Sequence, residues 1–133
     1  MENQDQSSID QSESLKIEGN NLFKAQNYSP AVIKYSAAIT NMLLLLDNND
    51  LLHTDDNHRK LAIYLSNRAA VHLKMENYGL AINDAEEAIN YCSDYPKSYY
   101  RKADGLISID KYKEARNCLR LVVVDMKVKD KDA

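Results

Sequence analysis

Glycine and proline are scarce, three and two residues in a chain of 133. With apolar residues spaced three and four apart, that scarcity favours helices over sheets, and an all-α fold is the expected class. Cysteine is too rare for a disulfide framework. Cys92 and Cys118 match no metal-ligand spacing either, and both are expected to be buried thiols in a reducing compartment. An excess of positive charge is also missing: the net charge of −3 excludes an overall basic field for nucleic acid or an anionic membrane. Any anion must therefore be held by a local group of cations. No apolar run reaches membrane length, since the longest, Met42 to Leu46, falls far short of the roughly 20 residues a span requires, and no signal peptide precedes it. A cytoplasmic location is the resulting expectation. What is present, 44% hydrophobic residues, suits a single domain with one continuous core.

Residues 1–11 are dominated by Gln, Asn, Asp and Ser and are expected to form a flexible lead-in. From Leu15 onward the apolar positions trace helix faces, as in Leu15, Leu22 and Phe23, then Ala31, Tyr35 and Ala38, then Ala81, Ala85, Ala88 and Ile89. Helices are predicted over 12–25, 29–46, 58–75, 78–92, 96–109 and 112–127. Ser29-Pro30 reads as an N-cap followed by proline at the first helical position, and Pro96 opens the fifth helix in the same way. The stretch from Asp47 to Asn57, rich in Asp and Asn, is expected to be a loop between two lengthened helices. Its flank, Leu43 to Leu46, would pack on Leu61 or Ile63.

The pattern Ala81, Ala85, Ala88 recurs 34 residues downstream as Ala115, Leu119, Val122, and 50 residues upstream as Ala31, Tyr35, Ala38. Small residues at Gly19, Ala69 and Ala103 repeat with the same steps of 50 and 34. One period therefore carries an insertion of 16 residues. A 34-residue period with small residues at these positions resembles the tetratricopeptide repeat (TPR) family, from about Ser12 to Lys129. The resemblance implies a right-handed α-solenoid of three helix hairpins with a lengthened connection between repeats one and two. The repeats would cover about 12–46, 58–95 and 96–129 of a domain over 12–133.

Folding alone does not account for several polar residues. Asparagine costs roughly 0.5 kcal/mol or more against alanine in a helix, yet Asn20 and Asn67 both fall mid-helix. In such a solenoid the first helix of each repeat lines the inner wall, so Lys16, Lys74, Lys97 and Arg101 would face one cavity and repel one another. An anionic ligand would relieve that. Lys16-x3-Asn20, Asn67-Arg68 and Lys97-x3-Arg101 are similar, in type and in repeat position, to the two-carboxylate clamp of co-chaperone TPR domains. The likeness implies peptide-binding roles for Lys16, Asn20, Asn67, Lys74, Lys97 and Arg101, with Phe23 and Tyr99 bordering a pocket and Arg68 in a salt bridge instead. It implies as partner the C-terminal tail, Glu-Glu-Val-Asp or similar, of heat-shock protein 90 or heat-shock protein 70.

Catalysis is not expected of this chain. His53, His58 and His72 belong to no nucleophile–base arrangement, and no Gly-rich phosphate loop or defensible carboxylate pair is present. The segment from His53 to His58 reads as a solvated loop rather than a metal site, and no cofactor is expected. Clamp domains are often fused to a phosphatase or a prolyl isomerase, so one alternative is the targeting domain of a larger enzyme. Another is a scaffold that holds an internal or helical segment of its partner. Leu119, Leu121, Val122, Val123 and Val124 crowd the last helix, where TPR arrays normally add a capping helix. A fragment of a longer protein, with an exposed apolar strip prone to self-association, is therefore expected.

Overall fold

A computed structural model describes residues 2–126 of the chain. Among these residues six α-helices follow one another: α1 (Glu2–Lys24), α2 (Tyr28–Asn48), α3 (Asp55–Lys74), α4 (Tyr78–Tyr91), α5 (Pro96–Ser108) and α6 (Tyr112–Arg120). A 3-10 turn (Asp50–Leu52) lies between α2 and α3, and π-helical backbone (Leu121–Met126) continues α6. Among the described residues there is no strand.

The three hairpins turn on one device. Gln26, Glu76 and Asp110 adopt the left-handed backbone, with φ of 62°, 62° and 66°. The amides just after them, on Asn27, Asn77 and Lys111, reach back to the carbonyls of Leu22, His72 and Leu106, each at 2.8 Å. This Schellman closure satisfies carbonyls that the end of each first helix would leave bare, and reverses the chain into the second helix. Steps of 50 and 34 residues separate the turns, as they separate Gly19, Ala69 and Ala103.

Those small residues let the paired helices approach. A Cβ on Gly19 would stand 2.6 Å from Cε1 of Tyr35, while Ala69 and Ala103 are buried against their own partners. Each helix packs on its neighbours in the chain, and the first helices also touch one another, α1 on α3 and α3 on α5. That stacking makes the chain an α-solenoid whose inner wall is α1, α3 and α5.

The largest buried cluster joins Ile9, Ala38, Ile39, Met42, Leu46, Leu61, Ala62, Tyr64, Leu65 and Ala88. Its membership explains where the helix ends depart from expectation. The helix expected from residue 12 begins at Glu2, so residues 2–11 are helical rather than an irregular lead-in. The insertion lengthens α2, which then presents extra surface to its antiparallel partner. Ile9 packs into the cluster, Asn41 Nδ2 donates to the Ser8 carbonyl and the Ser12 hydroxyl, both at 2.7 Å, and Asn49 Nδ2 donates to Asp5 at 3.3 Å. Burying one such isoleucine contributes roughly 1.5–3 kcal/mol. Ser, Asn and Asp residues at about 0.5 kcal/mol each oppose the helix by a similar amount, and the hydrogen bonds from Asn41 and Asn49 add to the favourable side.

The insertion itself is mostly helix. α2 runs to Asn48 and α3 starts at Asp55 behind Thr54, whose side chain accepts from the Asn57 amide, so only residues 49–54 form the connection. Leu46 packs with Leu61 and Leu45 flanks them, whereas Leu43 and Leu44 are exposed. The Ser29-Pro30 cap is also displaced: α2 begins at Tyr28, with Asn27 before it making no side-chain cap. Pro96 opens α5 as expected. By length and composition α2 is apolar enough to cross a membrane, but Ala31, Tyr35, Ala38, Ile39, Met42 and Leu46 are spent on helix packing. The end expected for α6 at residue 127 lies outside the described residues. Leu121, Val123 and Val124 are exposed there, and Val122 is buried against Tyr99, Ala103, Leu106, Ala115 and Cys118.

Candidate functional site

The inner wall holds two adjoining cavities. The smaller, about 150 Å³, is lined by Asn20, Phe23 and Lys24 from α1, Tyr35 from α2, Asn67 and Ala70 from α3, and Arg101 from α5. The larger, about 430 Å³, shares Phe23, Ala70 and Arg101 and adds Leu73, Lys74, Tyr78, Asp104 and Ser108. Helical spacing produces this convergence. Asn20, Phe23 and Lys24 lie three and four residues apart within about one turn, and Asn67, Ala70 and Lys74 follow at steps of three and four over about two turns, so each set occupies one face of its helix.

Within the smaller cavity the two asparagines are wired together. Tyr35 donates its hydroxyl to Asn20 Oδ1 at 2.5 Å, and Asn67 Nδ2 donates to the same oxygen at 3.3 Å. Tyr35 is 1% exposed, and burial pushes its phenol up to about 12, so it stays a hydrogen-bond donor at neutral pH. Arg101 is half-buried, and its Nε has no acceptor among the described residues. Phe23 supplies the apolar side of both cavities and meets Tyr28 at a ring-centroid distance of 5.9 Å.

Lys16 and Lys97 line neither cavity. Each sits one helical turn before a lining residue, Lys16 before Asn20 and Lys97 before Arg101, on the same face. Lys16 Nζ is held by Glu13 Oε2 at 2.9 Å. Glu13 also lies near Tyr64, whose phenol is raised above its usual value by burial first and by this carboxylate second. Lys97 is exposed.

Tyr99 does not border the site. Two residues beyond Lys97, it falls on the far side of α5, is 7% exposed within the α5–α6 core, and donates its hydroxyl to the Ser93 carbonyl at 2.7 Å. It lines a separate cavity of about 450 Å³ with Ile89, Lys102 and Cys118. Sequence reasoning missed Lys24, although Lys16, Asn20 and Lys24 follow one another at steps of four, and it missed Tyr35, whose contact with Asn20 is not local.

Arg68 turns away from the cavity, donating through Nε and Nη2 to Asp84 at 2.8 and 2.7 Å and through Nη1 to the Ser36 hydroxyl at 3.0 Å. Asp84 holds the guanidinium above its usual pKa. Beside this pair, His72 is buried with Nε2 3.8 Å from Asp84, and burial lowers its imidazole below the ordinary histidine value. His53 is exposed yet hydrogen-bonded: Nε2 meets the Leu46 carbonyl and Nδ1 meets His58 Nε2, both at 3.0 Å, and His58 packs edge-on against Tyr91. Cys118 is buried, but Cys92 is only half-buried and donates to Asp94 at 3.0 Å. Among the described residues, no group of three His, Cys, Asp or Glu side chains could hold a metal ion.

The inner wall thus offers amide and guanidinium donors, several ammonium groups, the rings of Phe23, Tyr35 and Tyr78, and one carboxylate, Asp104, at the larger cavity. This inventory suits a peptide-like ligand carrying carboxylates, which accept from several donors at once.

No protein-family model matches the chain. Serine/threonine-protein phosphatase 5 of Homo sapiens is 35% identical over 125 residues, which covers 94% of this chain and 22% of that protein. Hsp70/Hsp90 co-chaperone cns1 of Schizosaccharomyces pombe is 31% identical over 109 residues, covering 82% of this chain and 27% of that protein. The chain therefore spans about a quarter of the length of these relatives. Among solved structures, the second TPR of Spaghetti (RPAP3) bound to the HSP90 peptide SRMEEVD superposes with a TM-score of 0.74 at 25% identity, covering 92% of this chain and 93% of that one. The second TPR domain of human RPAP3, in complex with the HSP70 peptide SGPTIEEVD, gives 0.71 at 26% identity, covering 88% and 84%.

Proposed function

The chain is a tetratricopeptide-repeat domain of the kind found in co-chaperones, and from that premise we propose that its inner wall binds the acidic C-terminal peptide of heat-shock protein 90, heat-shock protein 70 or both. The observation that supports this most is the meeting of Asn20, Asn67 and Arg101, from three successive first helices, in one small cavity edged by Lys24. A peptide ending in Asp carries two carboxylates one residue apart, its own terminus and the last side chain. Lys16, Asn20 and Asn67 donate to the terminal carboxylate and, with Lys97, to the Asp side chain. Arg101 reaches a backbone carbonyl or an upstream Glu. Lys74, in the adjoining cavity, attracts the acidic residues further upstream, and Phe23 receives an apolar side chain of the peptide.

Charge-assisted hydrogen bonds contribute about 1.5–3 kcal/mol each. Ordering a flexible peptide opposes them, which sets the expected dissociation constant at about 1–10 μM. In this reading the domain acts by recognition. Its place is that of a targeting module within a larger cytoplasmic protein, and the phosphatase relative supports a catalytic domain elsewhere in that protein.

Calorimetry with a tail peptide as the free acid and as the C-terminal amide tests the reading, because the amide removes one carboxylate and leaves the rest of the peptide unchanged. The amide is expected to bind at least about tenfold more weakly, and the free acid to weaken as salt rises. Equal binding of the two forms would overturn the proposal.

A further inference from the structure

The groups that line the smaller inner-wall cavity come from α1, α3 and α5, with one exception. Tyr35 lies on α2, the second helix of its hairpin, yet it lines the same cavity as Asn20, Asn67 and Arg101. It reaches that far because Gly19 has no side chain. A Cβ there would sit 2.6 Å from Tyr35 Cε1 and 2.8 Å from Cδ1, so the ring lies flush against α1 and delivers its hydroxyl to the next residue, Asn20.

We propose that Tyr35 is a positioning residue for the peptide site: its hydroxyl fixes the Asn20 amide with Oδ1 turned inward, so that both Nδ2 hydrogens face the cavity. This inference rests on the carboxylate-binding reading above. A primary amide is ambivalent, with two donors on one end and an acceptor on the other. Rotated by half a turn about its last torsion, the same side chain would point its oxygen at an incoming carboxylate and repel it. Asn20 Oδ1 is engaged by two donors at once, Tyr35 at 2.5 Å and Asn67 at 3.3 Å. The shorter bond comes from a ring that is 1% exposed and held by packing, so it orients the amide before any ligand arrives. Phenylalanine would fill the same space. The hydroxyl, not the ring, carries the effect, and it makes the second helix of the hairpin part of the recognition apparatus without touching the ligand.

Tyr35→Phe separates the two roles. The variant is expected to keep the helical circular dichroism and cooperative melting of the native chain. Its affinity for a free-acid tail peptide ending in Asp should fall about fivefold to tenfold, while its affinity for the amidated peptide changes less than about twofold. In an Asn20→Ala background the same substitution should do nothing further, because the group it orients is gone. Tyr35→Phe with a native ratio of free-acid to amide affinity would overturn the positioning role and leave the peptide site standing. So would an equal loss for both peptides that persists alongside Asn20→Ala, which would mark a packing defect. Failure of the native chain itself to distinguish the two peptides would remove the site, and the role of Tyr35 with it.

Discussion

Arg68 grips Asp84 with two parallel hydrogen bonds, 2.8 Å from Nε and 2.7 Å from Nη2, and so ties α3 to α4 across the second hairpin. The Asp84 side chain is 9% exposed and that of Arg68 22%, which puts the pair where losing one partner strands the other. Asp84→Ala is expected to lower the unfolding free energy by about 3 kcal/mol, and Arg68→Met, which strands the more buried carboxylate, by at least as much. Urea denaturation of both variants checks the order. A loss for Asp84→Ala under about 1 kcal/mol would reduce the pair to a surface contact.

Opposite signs are expected from two charge changes on the inner wall. Arg101→Ala removes a cation that lines both cavities and should weaken tail-peptide binding roughly tenfold or more. Glu13→Gln removes the anion that holds Lys16, freeing the ammonium and taking a like charge away from the ligand. Binding should tighten by about twofold to fivefold, the effect shrinking in high salt. Calorimetry at two ionic strengths reads both variants, and weaker binding by Glu13→Gln would mean that the ion pair serves to aim Lys16.

Acid should loosen the second hairpin through His72. Burial keeps its imidazole below the ordinary histidine value, so the folded chain sheds a proton that the unfolded chain, titrating near about 6.5, retains. Stability owed to neutral His72 is whole above about pH 6.5 and declines as the pH drops from there through the lower, folded-state value. One proton limits the slope to about 1.4 kcal/mol per pH unit. Denaturation at pH 7.5 and pH 5.5 should show a larger drop for the native chain than for His72→Gln. Matching drops would assign the sensitivity to other groups.

The repeat was visible in the residues because it is a matter of spacing. Gly19, Ala69 and Ala103 mark close helix approach at the first helices, and the steps between them place the insertion without any coordinates. Residues 2–11 were illegible for the opposite reason. Their composition argues against a helix, and what stabilises it is a surface of α2 distant in sequence, met by Ile9 and by the Ser8 carbonyl. At the candidate site, motif spacing led to Asn20, Asn67 and Arg101, whose backbone faces follow from helical phase. Tyr99 was assigned to the same wall although two residues of helix rotate it to the other side of α5. Lys24 escaped notice since it belongs to no motif, and Tyr35 since its hydroxyl finds Asn20 only after the hairpin has closed.

The left-handed turns at Gln26, Glu76 and Asp110 have a consequence for how far this chain could be hardened. Each places a side chain where only glycine is free of a steric penalty, at up to about 1 kcal/mol apiece. Because the three corners are geometrically alike, the slack comes in equal portions, one per repeat. The scaffold sits below the ceiling its own backbone allows, with headroom at three corners that each lie two residues beyond a cavity-lining side chain, Lys24, Lys74 or Ser108.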